Sequence, residues 1–384
     1  MAKVSVRGLA MTQFGELWER DLRSLAFEAG LNAMNDAGIA PDKVDCLIVS
    51  NMASGIFTGQ EHLGPLVGQA FGLSCPTFHI EGACASGGLA INNAFYLLQS
   101  GHYKNILIIG VEKMTDVSPN QAAKILASAA DEEWESFYGI TFPSLYALIA
   151  REHMRKYGTT EEDLALVSVK NHSNGKLNPL AQFQKEITVK DVMNSAPIAT
   201  PLKLLDCSPI SDGATAVVLT TEKPSKYKVE MIASEAASSR LSVHDRKDIT
   251  TLDATVIAAK KAYKQAGIAS DKIEIAEVHD CFTIAEILAY EDLGLVAKGK
   301  GATMIRDGIT LRDGKLPVNT SGGLKACGHP VGATGVKQVI EIALQLSGLA
   351  GKRQVTKSLK FGLTQNVGGS GATSVVSIFK NAQK

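Results

Sequence analysis

Paired Cys-x-x-Cys motifs, disulfide-scaffold density and zinc-type Cys/His spacings are all missing from this 384-residue chain. Its six cysteines stand singly at 46, 75, 84, 207, 281 and 327, which predicts reduced thiols and no structural metal. An excess of charge of one sign is also missing. Lys plus Arg and Asp plus Glu number 39 each, so nothing electrostatic favours nucleic acid or an anionic membrane surface. No stretch reaches the ~20 consecutive apolar residues of a membrane span. The N-terminal Met1-Ala2-Lys3-Val4 lacks the apolar run of a secretory leader, and Asn381-Ala382-Gln383-Lys384 is not a peroxisomal address. The cytoplasm is therefore the expected compartment. A Gly-x4-Gly-Lys-Ser/Thr phosphate loop and a Gly-x-Ser-x-Gly elbow are absent, and Gly368 to Gly371 lacks the spacing of a dinucleotide turn.

What is present is an ordinary globular composition, 45% hydrophobic and 20% charged, on a chain longer than one core usually serves. Strand patterns at Val4–Ala10, Val44–Ser50 and Asn105–Val111 alternate with helical patterns at Asp21–Asp36, Gly64–Phe71 and from Cys84 to about Ser100. This predicts an α/β fold, with helices covering a sheet. Part of the pattern recurs. Ala37-Gly38-Ile39-Ala40-Pro41-Asp42-Lys43-Val44 is echoed by Ala266-Gly267-Ile268-Ala269-Ser270-Asp271-Lys272-Ile273. Ala83-Cys84 before a glycine-bearing helix start is echoed by Ala326-Cys327, and the strand at Asn105 by Gly371–Phe379. Three landmarks in one order argue for two copies of one unit. The expected organisation is an N-terminal half over 1–222, interrupted by an insertion at about 116–206, and a C-terminal half over 223–384. The insertion carries helical stretches at Ser144–Tyr157 and Thr160–Asn174, then an irregular segment of the kind that forms lids or oligomer contacts.

Chemistry-bearing residues gather in four glycine-rich or turn-like stretches. In Glu81-Gly82-Ala83-Cys84-Ala85-Ser86-Gly87-Gly88, a cysteine opens a helix, whose free N–H groups and dipole favour a thiolate. A small, packed core cysteine is the competing reading, and the stretch alone leaves both open. Val278-His279-Asp280-Cys281-Phe282-Thr283 follows a strand, although Asp280 as a helix cap and His279 as a turn residue would also account for it. Gly328-His329-Pro330 follows the polar loop Asn319-Thr320-Ser321-Gly322-Gly323. Gln365-Asn366-Val367-Gly368-Gly369-Ser370-Gly371 can aim backbone N–H groups at an oxyanion. One cysteine with two histidines supplies a nucleophile and a base able to take its proton near neutral pH.

Taken together, these stretches resemble the thiolase family along essentially the whole chain, most closely the archaeal acetoacetyl-CoA thiolases and the sterol-carrier-protein-type thiolases. The matching pieces are Ala83–Gly87, Cys207–Ala214, His279–Phe282, Cys327–Pro330 with Gly332–Gly335, and the terminal glycine loop. The resemblance implies the thiolase fold, in which duplicated five-stranded mixed sheets form an αβαβα layering with an inserted loop domain over CoA. It implies an acetyl-CoA C-acetyltransferase that condenses two acetyl-CoA to acetoacetyl-CoA and CoA, reversibly, through an acetyl-Cys84 intermediate. His329 would activate Cys84 and help hold an enolate oxygen, and His279 would serve the same oxyanion hole through a water. Backbone N–H groups of Cys84 and of Val367 or Gly368 would form a second hole.

In bacterial-type thiolases a second cysteine in the terminal Cys-x-Gly loop acts on the α-carbon, and here that position is read as Gln365. Cys281 is the expected replacement, with Cys327 as second candidate. Ser208 is the one expected CoA contact. No cofactor or metal is implied, since coenzyme A is substrate and product. The implied partners are further copies in a dimer or tetramer, an HMG-CoA synthase and a small bridging protein, in a mevalonate, isoprenoid-forming route. The alternatives are a 3-ketoacyl-CoA thiolase of broader chain length, another condensing enzyme of the superfamily, and a non-catalytic scaffold or lipid-binding protein.

Overall fold

The computed structural model describes residues 2–222 and 226–383. The expected boundary at 222/223 abuts residues 223–225, which lie outside the described residues, as do Met1 and Lys384. The first copy runs β1 (Val4–Met11), α1 (Leu22–Ala37), β2 (Cys46–Ser50), α2 (Ser54–Phe57), α3 (Leu63–Ala70), β3 (Thr77–Ile80), α4 (Ser86–Gln99) and β4 (Asn105–Glu112). The intervening segment holds α5 (Pro119–Ala127), α6 (Phe142–Tyr157), α7 (Glu161–Gly175), α8 (Val189–Met193) and the small hairpin β5 (Pro197–Ala199) and β6 (Leu202–Lys203). Then come β7 (Gly213–Thr220), β8 (Val229–Ser238), α9 (Asp253–Ala266), β9 (Ile275–Glu277), α10 (Thr283–Asp292), α11 (Gly301–Arg306), α12 (Val331–Ser347), β10 (Phe361–Gly368) and β11 (Thr373–Asn381).

The order of strands demonstrates the duplication. Hydrogen bonds run β3-β2-β4-β7-β1 in the first copy and continue β8-β11-β10-β9 in the second. In both, two parallel strands meet an antiparallel pair, so β8, β9, β10 and β11 repeat β1, β2, β4 and β7. The counterpart of Asn105–Glu112 is therefore β10, not the strand near Gly371–Phe379 that the sequence suggested. Two five-stranded sheets are not what the hydrogen bonds draw, because β1 and β8 pair at Val4 with Met231 and Ser5 with Glu230, joining the copies edge to edge. The second copy has a single bridge, Ala276 to Val318, where the first has β3. Its chain there is the Asn319–Gly323 loop, held by side-chain hydrogen bonds instead of a ladder.

The sequence repeat marks equivalent helix ends. Gly38 and Gly267 adopt φ of 63° and 67°, left-handed values that glycine takes without a Cβ penalty, and each closes its helix. Asp21 starts α1 by accepting the Ser24 N–H at 2.6 Å.

β4 is buried throughout because both its faces are covered. Ile106 and Ile108 enter a central core with Ala94 and Phe95 of α4 and Val339 and Ile342 of α12. Leu107 and Ile109 enter an outer core with α1 and α3. On the far side α9 and α10 cover Ala276, Leu363 and Val376. The layers are thus α1/α3, the first copy's strands, α4/α12, the second copy's strands, and α9/α10. Among the described residues no helix is long and apolar enough to cross a membrane.

Candidate active site

The two central helices begin against one another, and glycine makes this possible. A Cβ on Gly335 would stand 2.2 Å from the Gly88 nitrogen, and one on Gly87 would stand 2.8 Å from the Gly335 nitrogen. The turns leading into both helices, with Cys84 and His329, therefore reach one place. The Cys84 turn is tied by Ser86, whose hydroxyl accepts the Gly82 N–H at 2.9 Å and donates to Ala83 O at 2.6 Å. Ala83 is held at φ of 52°, a strained setting for a residue with a Cβ. On the other side Ser211 Oγ accepts the His329 N–H at 2.9 Å, and Gly332 N–H bonds the Glu112 carboxylate at 2.9 Å.

Cys84 Sγ and a ring nitrogen from each of His279 and His329 lie within 4.8 Å of one another. The two rings stand nearly perpendicular, with centroids 5.1 Å apart. His329 Nδ1 meets Thr334 Oγ1 at 2.8 Å, and that hydroxyl donates to Pro330 O at 3.0 Å. The hydroxyl must then accept from Nδ1–H, which leaves a bare lone pair on His329 Nε2. Neither His279 Nε2 nor His329 Nε2 has a hydrogen-bond partner among the described residues, although both are buried. Desolvation, aided by the Lys337 charge, lowers the His329 pKa to about 3. Burial pushes the Cys84 thiol up to about 12 against the pull of the Gly369 and Cys84 N–H groups, with the Glu112 carboxylate adding to the rise. The resting pair is thus neutral thiol and neutral imidazole.

A cavity of about 290 Å3 opens onto Cys84 and His329 and is lined by Cys281, Ser208, Tyr146, Phe142 and Phe282 among others. Cys281 lies close to Cys84 and in hydrogen-bond contact with Tyr146, and burial holds its thiol well above the usual range. Cys327 lies elsewhere, packed with Phe14, Ala181 and Ala333 and touched by Asn178 at 3.5 Å. The structure thus places Cys84, His279, His329, Cys281 and Ser208 at or beside one cavity and leaves Cys327 out.

Two sequence assignments shift. Val367 and Gly368 end β10, and the amide facing the Cys84 sulfur is that of the next residue, Gly369. Gln365 points away, its amide accepting the His279 N–H at 3.0 Å and donating to Thr255 at 3.2 Å. Neighbouring strand residues face opposite ways, so Asn366 is the one turned to the site, 3.2 Å from His279 Nδ1. Asn366 stands two residues before Gly368, so Cys-x-Gly spacing counted from that glycine would have found it. Thr334, Tyr146 and Glu112 carried no local signal. A sulfur and two imidazoles at this distance are also the donor types of a zinc site.

A cysteine, a base with a free lone pair and converging N–H groups on a duplicated β/α frame define an acyl-transferring enzyme class. The chain belongs to the thiolase family: the family models "Thiolase, N-terminal domain" and "Thiolase C-terminal domain-like" match residues 4–223 and 235–381. It is 50% identical over 384 residues to an acetyl-CoA acetyltransferase of Methanothermobacter thermautotrophicus, covering 99% of this chain and 100% of that one. Human sterol carrier protein 2 is 36% identical across 99% of this chain and 72% of its own length. Among solved structures, the Ltp2-ChsH2(DUF35) aldolase superposes with a TM-score of 0.86 at 25% identity, covering 100% of this chain and 98% of that one.

Proposed function

We propose that this chain is an acetyl-CoA C-acetyltransferase, joining two acetyl-CoA into acetoacetyl-CoA and CoA and running the reverse thiolysis. The observation that carries the reading is the convergence of Cys84 Sγ with two buried histidines whose Nε2 atoms are unpaired. The 50% identity to a protein of that activity supports it.

In the first stage His329 Nε2 takes the Cys84 proton as sulfur attacks the thioester carbonyl. The N–H groups of Cys84 and Gly369 receive the developing oxyanion. The tetrahedral intermediate expels CoA, whose sulfur takes the proton from His329. In the second stage His329 Nε2 takes the Cys281 proton, and the Cys281 thiolate removes the α-proton of another acetyl-CoA. The enolate oxygen is received by His279 Nε2–H, the α-carbon attacks acetyl-Cys84 to form the new C–C bond, and the released Cys84 thiolate takes its proton back from His329. Purified protein should cleave acetoacetyl-CoA when CoA is supplied, and Cys84→Ala should abolish this. Full activity in that variant would remove Cys84 from the mechanism.

The cavity favours a second reading, a 3-ketoacyl-CoA thiolase of broader chain length. Its volume of about 290 Å3, with Met114, Leu126, Phe142 and Ile198 on the wall, offers apolar surface beyond what an acetyl group covers. Thiolysis rates from C4 to longer 3-ketoacyl-CoA separate the two. We further propose service to a mevalonate route in the cytoplasm, in assemblies with an HMG-CoA synthase and a small bridging protein. A dimer or tetramer is proposed too, supported by the edge strand β3, which presents an unpaired side and exposed Phe78 and His79.

A further inference from the structure

His279 and His329 approach one sulfur, yet the proposed reaction asks opposite things of them. One must present a lone pair and the other an N–H. Thr334 accounts for His329; the partner of His279 is Asn366.

The Asn366 amide has one orientation available. Its Oδ1 accepts the Gly88 N–H at 2.9 Å, and the same oxygen would lie 2.4 Å from a Cβ on Gly335, so it is wedged where α4 and α12 begin. Exchanging the amide oxygen and nitrogen would press an NH2 group against the Gly88 N–H. The Asn366 Nδ2 therefore faces His279 Nδ1, at 3.2 Å. An amide NH2 only donates, so Nδ1 must accept, and the single proton of the neutral ring stands on Nε2. The His279 backbone is held as well, since Gln365, on the other face of the same strand, accepts its N–H at 3.0 Å.

We propose that Asn366 is a positioning residue that fixes His279 as an Nε2–H donor to the enolate oxygen. This rests on the acyltransferase reading for its catalytic consequence. The tautomer itself does not depend on that reading.

Asn366→Asp tests it. A carboxylate keeps the Gly88 contact but accepts from His279 Nδ1–H, so the neutral ring is left with a bare Nε2. Only the imidazolium form restores the donor. The variant's condensation kcat should be lost as pH rises through the His279 pKa, by about 100-fold or more at the alkaline end, with KM little changed. Burial holds the wild-type His279 pKa well below 6.5, and the new carboxylate raises it. Of the groups around His279, His329 and Cys84 have pKa values of about 3 and about 12, and Lys337 and Cys281 are pushed up. Asp280 and Glu112 titrate at about 7 in both proteins, so the limb is read as the difference between the variant's profile and the wild type's. Asn366→Ala, which locks neither tautomer, should lose less and show no such limb.

Nitrogen-15 NMR of the histidines gives a readout that needs no variant. Wild-type His279 should show an unprotonated Nδ1, whereas a protonated Nδ1 overturns the proposal. A wild-type pH profile in Asn366→Asp overturns it as well. Should wild-type protein fail to condense acetyl-CoA while Nδ1 is unprotonated, the acyltransferase reading falls and the tautomer assignment stands.

Discussion

Glu112, at the end of β4 in the first copy, accepts the N–H of Gly332, in the first turn of α12 in the second, at 2.9 Å. Its carboxylate also receives Met52 N–H at 2.9 Å, Asn51 Nδ2 at 2.8 Å and Ala53 N–H at 3.2 Å. Four donors from two separate stretches converge on one side chain that is wholly buried. That junction ties the end of β4 to the first turn of α12, three residues after His329.

Glu112→Gln replaces an acceptor oxygen with an NH2 group facing two N–H donors. Unfolding free energy should fall by about 2 kcal/mol near pH 5, read by denaturant titration. Desolvation lifts the Glu112 pKa from 4.5 to about 7 in the fold. A raised folded pKa means the fold binds the proton more tightly, so the contribution is full below pH 4.5 and is lost as pH rises through about 7. The wild type should lose stability across that window relative to the variant; a constant difference would assign Glu112 an ordinary pKa.

Cys84 and His329 rest as a neutral pair, with pKa values of about 12 and about 3. Iodoacetamide reacts with the thiolate, so alkylation of Cys84 should rise about tenfold per pH unit between pH 7 and 9. A rate already flat above pH 5 would reveal a preformed thiolate–imidazolium pair. Peptide mass mapping separates Cys84 from the other five cysteines.

Thr334→Val preserves shape and removes the acceptor for His329 Nδ1–H. The ring is then free to place its proton on Nε2, where it cannot act as base. We expect kcat for thiolysis to fall about 10- to 100-fold, with KM near the wild-type value. Thr334→Ser should restore most of the loss, since its hydroxyl can make both bonds. Equal damage from Val and Ser would point to packing as the cause.

Cys281→Ala keeps Cys84, His279 and His329 in place. Acetylation of Cys84 by acetyl-CoA should persist, while exchange of the acetyl-CoA α-protons with deuterated water should drop by about 100-fold or more. Unchanged exchange would acquit Cys281. Cys327→Ala should leave both steps intact, as that thiol lies in a separate core.

The architecture was largely legible from local pattern. Apolar runs such as Ile106–Ile109, the paired Ala-Gly-Ile-Ala helix ends and the Cys84 turn each follow from chemistry within a few residues. The matching error at Asn105 arose because β10, with Gln365 and Asn366, looks polar for a central strand. Its side chains serve the site as well as the core.

The sequence by itself determined the duplicated α/β fold, the Cys84 turn and the two His-bearing turns, because periodicity, glycine placement and residue chemistry act over short range. Only the tertiary structure decided which cysteine stands beside Cys84 and which side chains His279 meets. Those answers depend on contacts between segments tens to hundreds of residues apart. Asn366 meets His279 across 87 positions and Gly88 across 278, and no local pattern encodes either approach.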